Sequence, residues 1–109
     1  MSRESMKMIV RLWRATVLPG METEYDVFAR DVSRPMFEQQ AGFQGVIFSR
    51  DGDRCLVITL WADHESAEAL AASPVYGRTV ERISALLRPE TVTEVYEVRG
   101  GILPGGELF

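Results

Sequence analysis

The chain has 109 residues, of which 46% are hydrophobic and 26% are charged. This is ordinary globular usage, which excludes a disordered or fibrous protein, and the length allows a single domain with one core. The formal net charge is −4 and the 12 basic residues are scattered along the chain. That pattern argues against nucleic acid as the main partner, because phosphate backbones need a concentrated basic patch.

Membrane and metal classes are also disfavoured by the sequence. No apolar run reaches the roughly 20 residues of a membrane-spanning helix, and the first residues, MSRESMKM, lack the apolar centre of a signal peptide. We therefore expect a cytoplasmic protein with no membrane partner. The single cysteine, Cys55, cannot form an internal disulfide, and the single histidine, His64, cannot anchor a multi-histidine metal site.

The first third of the chain predicts a strand followed by a helix. Residues 8–17 (MIVRLWRATV) are rich in β-branched and aromatic side chains and are closed by a Pro-Gly turn at 19–20. Apolar residues then recur at spacings of four, three and four, the stripe of an amphipathic helix: Met21, Tyr25, Phe28 and Val32. Pro35 is expected to end or kink this helix, because proline has no amide donor. A short helical piece is predicted near 37–40.

A hairpin is predicted in the middle of the chain. Residues 42–50 (GFQGVIFSR) and 54–61 (RCLVITLW) flank Asp51-Gly52-Asp53, where the glycine supplies the positive φ of a tight turn. Asp63 and Ser73 are each expected to cap a helix, and Pro74 fits the first helical position.

The second long helix and a last strand complete the predicted elements. The spacing of apolar residues predicts a buried stripe on this helix. It consists of Val75 or Tyr76, Thr79 or Val80, Ile83, and Leu86 or Leu87. The last strand is predicted at about 90–98. Residues 99–109 form a glycine-rich but apolar tail, which is more typical of a docking arm than of a solvated linker.

The predicted order is β-α-β-β-α-β, the α+β pattern called ferredoxin-like, with helices on one face of an antiparallel four-stranded sheet. Right-handed crossovers place strands one and three in the middle. One face of strand three carries Leu56, Ile58 and Leu60, and the opposite face is also apolar. Because helices cover only one face, we expect a homodimer joined sheet to sheet through those three side chains.

Several segments, in this order and spacing, resemble the antibiotic biosynthesis monooxygenase (ABM) superfamily of dimeric α/β barrels. The likeness covers residues 8–98, taken as the core of one domain spanning 1–109. It rests on RLWR at 11–14, Pro19-Gly20 with Tyr25, Pro35, GFQG at 42–45, LWADHESAEAL at 60–70 and VYEVR at 95–99.

The resemblance implies a pocket between the helices and the sheet, with Trp61 lining it at the end of strand three. The pocket face would carry Cys55, Val57, Thr59 and Trp61 on strand three and Arg11 and Trp13 on strand one. We also place Tyr25, Phe28 and Tyr76 in the substrate pocket.

Two chemistries occur in the superfamily, and this sequence departs from both patterns. Haem degradation uses a strand-one asparagine and a proximal histidine on the last helix. By ungapped counting Trp13 occupies the first position, and the last helix offers Tyr76 and Arg78, so haem breakdown is disfavoured. Cofactor-independent oxidation of polyketide-like phenols or quinols requires no metal or flavin, with oxygen as co-substrate. Trp61 fits it, but its associated asparagine is missing, since the chain contains none.

The candidate catalytic residues each have a structural alternative. Trp61 either stacks on a substrate with Trp13 or is a core aromatic. Arg11 either stabilises an anionic substrate or pairs with Glu94. His64 moves a proton, as a tyrosine could, or simply sits at an exposed helix start.

At the level of the whole protein, the alternatives to an oxygenase are two. One is a non-catalytic ligand-binding or stress-associated dimer, whose pocket only sequesters a small molecule. The other is a purely structural dimer, whose pocket is filled by its own side chains.

Overall fold

A four-stranded antiparallel sheet forms the centre of the molecule, in a computed structural model that describes residues 7–107. The strands are β1 (Ile9–Thr16), β2 (Phe43–Asp51), β3 (Arg54–Trp61) and β4 (Val92–Glu97), in the spatial order β2-β3-β1-β4. The predicted central position of strands one and three is confirmed. In register, Trp13 lies opposite Val57 and Arg11 lies opposite Thr59, so these four side chains share one face.

The first helical segment differs from its prediction at Pro35. Helix α1 (Glu22–Phe28) continues through a π-helical turn (Ala29–Ser33) directly into α2 (Arg34–Glu38). The amide of Arg34 donates to the carbonyl of Ala29 five residues earlier, which is the widened π pattern. Pro35 is the second residue of α2, directly after the π turn, and the chain remains helical on both sides of it.

The other helices begin at the two predicted caps, which are confirmed. Asp63 precedes α3 (His64–Ala72) and accepts the amide of Ser66 at 2.8 Å. Ser73 precedes α4 (Pro74–Ile83) and accepts the amide of Tyr76 at 3.4 Å. A 3-10 turn (Ser84–Leu86) follows α4 and leads back towards the sheet, where Val17 and Leu87 form an isolated bridge.

The helices cover one face of the sheet, and the core lies between them. Its largest fully buried side chains are Trp61, Ile9, Leu70, Val17 and Thr59. Alternation along β1 and β3 places every second residue in this layer, as the burial patterns of the two strands confirm.

Among residues 7–107, the opposite face of the sheet carries apolar side chains and no helix. Its middle row consists of Ile47, Ile58 and Leu12, which are neighbours across three strands. Ile47 is 58% exposed, and Tyr96 on β4 is 51% exposed. An apolar face of this kind on a single chain is typical of an association surface.

The C-terminal tail forms a small hairpin of β5 (Ile102–Leu103) and β6 (Gly106–Glu107). Ile102 is 73% exposed and Leu103 is more than half exposed. The expected docking of the tail therefore stays a prediction. Within residues 7–107, no helix is both long and apolar enough to cross a membrane.

Candidate functional site

A small cavity lies between the sheet and the helices. The central strands contribute Arg11, Trp13, Val57 and Thr59 to its wall, and the helices contribute mainly apolar and aromatic side chains. The cavity has a volume of about 30 Å³, which is room for one or two water molecules. A larger ligand therefore requires the walls to move apart.

The π turn shapes one side of this cavity. Two of its residues, Ala29 and Ser33, are buried and line the cavity. Both are small, so the helix backbone approaches the cavity without filling it. Since π turns often occur at functional sites, the position of this one directs attention to the same place.

Arg11 is the most unusual residue of the cavity. It is only 8% exposed, and its Nη2 atom donates to the Tyr76 hydroxyl oxygen at 2.9 Å. Its guanidinium also lies 5.1 Å from the centre of the Tyr76 ring, a cation–π distance. Among residues 7–107, no carboxylate forms an ion pair with it.

The structural alternative predicted for Arg11, an ion pair with Glu94, is wrong. Glu94 lies opposite Leu12 in the register and so points to the helix-free face of the sheet. There it accepts a hydrogen bond from Arg14 Nε at 2.9 Å. Residues 11 and 14 are three apart on one strand, and side chains an odd number of positions apart point to opposite faces.

Trp61 is packed beside the cavity and does not line it. Its side chain is fully buried, and its ring meets that of Phe43 edge-on at 5.9 Å. Its Nε1 donates to Thr59 Oγ1 at 2.8 Å, and Thr59 does line the cavity. The indole thereby fixes the Thr59 hydroxyl, while Trp13 presents its own ring directly to the cavity.

Tyr25 lines the cavity as expected and adjoins Cys55. Burial raises the pKa of the Tyr25 phenol far above its ordinary value, and a hydrogen bond with Cys55 raises that pKa further. Burial also raises the pKa of the Cys55 thiol, whose Sγ donates to the Ala15 carbonyl at 3.2 Å. Both groups are therefore neutral at physiological pH, which makes Cys55 a poor nucleophile.

Two predicted site residues lie away from the cavity. His64 is the first residue of α3, and its half-exposed side chain lies 3.9 Å from Glu68, because the buried side of that helix is formed by Ala67 and Leu70. Phe28 lies under the guanidinium of Arg82 at 5.3 Å and lines a different surface groove.

The cavity also contains residues that sequence reasoning did not assign to a site. Phe37 and Met36 come from α2, Phe48 from β2 and Thr79 from α4. The helical stripe correctly predicted that the side of α4 with Tyr76 and Thr79 is buried. No sequence signal distinguished the stripe residues that line the cavity from those that pack against other side chains.

The architecture defines a class: a small α+β protein of ferredoxin-like order, with a buried cavity between its helices and its sheet. The family model described as antibiotic biosynthesis monooxygenase matches residues 8–82. The chain belongs to this family.

Solved structures have the same fold. SnoaB from Streptomyces nogalater, described as a cofactor-independent oxygenase, is 24% identical, with 90% of this chain and 98% of that chain covered and a TM-score of 0.74. A protein of unknown function from Nitrosomonas europaea is 19% identical, with 94% and 99% covered and a TM-score of 0.77. A conserved protein from Methanosarcina mazei is 16% identical, with 88% and 97% covered and a TM-score of 0.72. No functionally curated protein matches the chain.

Proposed function

We propose that the protein is a cofactor-independent monooxygenase that oxidises a small aromatic, polyketide-like or quinol substrate with molecular oxygen. The observation that carries this proposal is the buried guanidinium of Arg11, which faces an aromatic-lined cavity and has no carboxylate partner among the described residues. Family membership and the SnoaB-like fold support the same reaction class.

An unpaired buried cation costs free energy, because it has lost its hydration without gaining an opposite charge. An anionic ligand in the cavity removes that cost, and the low dielectric constant of the site strengthens the attraction. Arg11 is therefore suited to hold a phenolate or enolate. The Tyr76 hydroxyl accepts the bond from Arg11 and so keeps its own hydrogen free to donate to the same ligand oxygen.

The reaction that follows needs no electrons from the protein. Loss of a proton from an activated CH2 group gives an enolate, which transfers one electron to oxygen and then combines with the resulting superoxide. The carbon-bound peroxide anion takes up a proton, equal in number to the one lost in the first step, and the resulting hydroperoxide loses water to leave a carbonyl. One oxygen atom ends in the product and the other in water, and the four electrons come from the CH2 group. In this scheme Arg11 and Tyr76 stabilise the oxyanion that develops when the proton leaves.

Substrate binding must widen the cavity. Phe48 and Val80 are only half-buried at its wall, and Met36 has a flexible side chain. These side chains can move without disturbing the central strands. Trp13 would then lie against the aromatic body of the substrate, while Thr59, fixed by Trp61, stays in place.

We further propose that the protein is a homodimer joined through the helix-free face of the sheet, including Leu56, Ile58 and Leu60. These side chains are half-buried in the single chain and lie among more exposed apolar neighbours such as Ile47. The cavity lies on the other face, so each protomer would keep its own site.

Oxygen consumption with anthrone tests the proposed activity. We expect uptake by the protein, a decrease of about tenfold or more for Arg11→Met, since one oxyanion-stabilising group is worth that much, and a smaller decrease for Tyr76→Phe. The matched control is Arg78→Met, which removes an exposed cation from α4. Equal uptake by the protein and by Arg11→Met would contradict the role of Arg11, and no uptake with anthrone or a quinol would contradict the activity.

A second candidate function is a non-catalytic ligand-binding dimer. The position of Trp61 favours it, because the indole is used in packing and does not face the cavity. Saturable binding of an aromatic ligand without oxygen uptake would support this candidate over the oxygenase.

A further inference from the structure

A surface groove rich in arginine adjoins the cavity. It runs between the π turn and strand β2 and presents Arg30, Arg34 and Arg50; we call it the arginine groove. Its wall also includes Tyr25, Ala29 and Phe48, all three of which line the cavity as well. The groove and the cavity therefore adjoin at these shared side chains, of which Phe48 is half-buried.

The charge of the groove is opposite to that of the whole chain. Three arginines and one carboxylate, Asp26, line it, whereas the chain as a whole has a net charge of −4. Asp26 accepts two hydrogen bonds from Arg50, at 3.0 and 2.7 Å, so this arginine already has a partner within the groove.

Arg30 and Arg34 are more exposed than Arg50, whose side chain is only 26% exposed. Arg30 donates two hydrogen bonds to its sequence neighbour Asp31, at 2.8 and 3.2 Å, and Asp31 lines a different groove. Arg34 Nε lies 3.5 Å from Glu38 Oε1. The side chains of both pairs are more than half exposed. Exposed pairs are screened by water, so an anion in the groove can compete with Asp31 and Glu38 for these two guanidiniums.

The π turn gives the groove and the cavity their common wall. Ala29 and Ser33, four residues apart, face the cavity, while Arg30 and Arg34, also four apart, face the groove. One short helical segment thus carries small side chains towards the cavity and a cationic side towards solvent. A ligand that lies across Ala29 would touch both.

We propose that the arginine groove binds an anionic substituent, of which a carboxylate is the type case, on a ligand whose planar body occupies the cavity. This makes the proposed function more specific. It rests on one part of that proposal, namely that the cavity binds a ligand. The substrate class becomes planar aromatic acids, and Arg30 and Arg34 become residues that select them by charge.

Two oxidised probes test the proposal without requiring turnover: anthraquinone-2-carboxylate and its uncharged carboxamide. Binding is followed by quenching of tryptophan fluorescence, since Trp13 lines the cavity. We expect the carboxylate to bind about tenfold more tightly than the carboxamide at low ionic strength, and this preference to shrink as salt is added. The double variant Arg30→Gln with Arg34→Gln should abolish the preference and leave carboxamide binding unchanged.

Arg78→Gln serves as the matched control, because it removes one exposed positive charge from α4, outside the arginine groove. It should keep the preference. Equal affinity for the two probes, an unchanged preference in the double variant, or no binding of either probe would each overturn the proposal. A carboxylate preference without oxygen uptake from anthrone would leave the groove standing and contradict only the oxygenase. Oxygen uptake without such a preference would support the oxygenase and contradict only the proposal for the groove.

Discussion

Arg11 illustrates how one residue can be retained at a cost to stability. Its guanidinium is buried against Tyr76, and its aliphatic stem lies on the central strand of the sheet. A hydrogen bond to a hydroxyl and a cation–π contact recover only part of the lost hydration. The most direct physical reason for a cation in this position is a ligand that brings the missing negative charge.

Replacement of Arg11 by methionine should therefore separate stability from function. We expect the free energy of unfolding of Arg11→Met to rise by about 1 kcal/mol, because an apolar chain of similar length removes the desolvation penalty. Urea denaturation measures this change. Arg78→Met, which removes an exposed cation from α4, is the control and should change stability by less than about 0.5 kcal/mol. A loss of more than about 2 kcal/mol for Arg11→Met would assign the arginine a structural role.

The two tryptophans should respond differently to the same change. Trp61→Phe removes a fully buried ring and its bond to Thr59, so we expect a loss of about 3 kcal/mol of stability. Trp13→Phe only enlarges an existing cavity and should lower stability by about 1 kcal/mol. It should weaken the binding of aromatic ligands more than Trp61→Phe does. Thermal unfolding and ligand titration of both variants give the comparison. The reverse order of ligand effects would place Trp61 in contact with the ligand.

At the scale of elements, the glycines define where backbone and side chains are tightly fitted. Gly42 has a φ of +79°, and a Cβ atom there would overlap the side chain of Ser66. Ser66 donates from both its amide and its hydroxyl to Asp63, so the overlap would disturb the start of α3. Gly77 lies within α4 with no heavy atom within 4 Å of such a Cβ.

Substitution by alanine should have opposite signs at these two positions. We expect Gly42→Ala to lower the free energy of unfolding by about 3 kcal/mol, from the left-handed backbone and the displaced cap together. Gly77→Ala should raise it by about 0.5–1 kcal/mol, because alanine is the better helix former. Denaturant unfolding of the pair measures both. A stabilised Gly42→Ala would mean that the start of α3 is not fixed as described.

Much of the arrangement of elements follows from local chemistry. The hairpin glycine, the caps Asp63 and Ser73 and the alternation of apolar residues are short-range signals, and each predicted element was found within a few residues of its expected bounds. Pro35 differs because the chain continues as a helix through a π turn directly before it, and no local pattern predicted that turn.

The candidate site was predicted as far as the parity of the strands allowed. Parity, combined with the family resemblance, placed Arg11, Trp13 and Thr59 on one face of the sheet, as the register shows. The same parity separates Glu94 from Arg11. Parity could not predict how deeply Trp61 is buried, because its burial depends on which helix side chains pack against it. The arginine groove was missed for a related reason: its residues come from a helix and from a strand that are distant in sequence.

At the scale of the whole molecule, the helix-free face of the sheet predicts a dimer. We expect the protein to sediment as a dimer at micromolar concentration and Ile58→Asp to sediment as a monomer, because a buried unpaired carboxylate opposes association. Val27→Asp, at an exposed apolar position on α1, is the control and should remain dimeric. A dimeric Ile58→Asp would place the interface elsewhere. A monomeric wild-type protein would contradict the dimer itself.

The central claim is that the cavity binds its ligand as an anion held by Arg11. An absorption titration of bound anthrone against pH, carried out without oxygen, tests it directly because ionisation changes the spectrum of the ligand. We predict that anthrone bound to the protein ionises at a pKa lower than that of free anthrone by about 1 unit or more, and that the shift disappears in Arg11→Met. A pKa equal to that of free anthrone, or the same shift in both proteins, would contradict the claim.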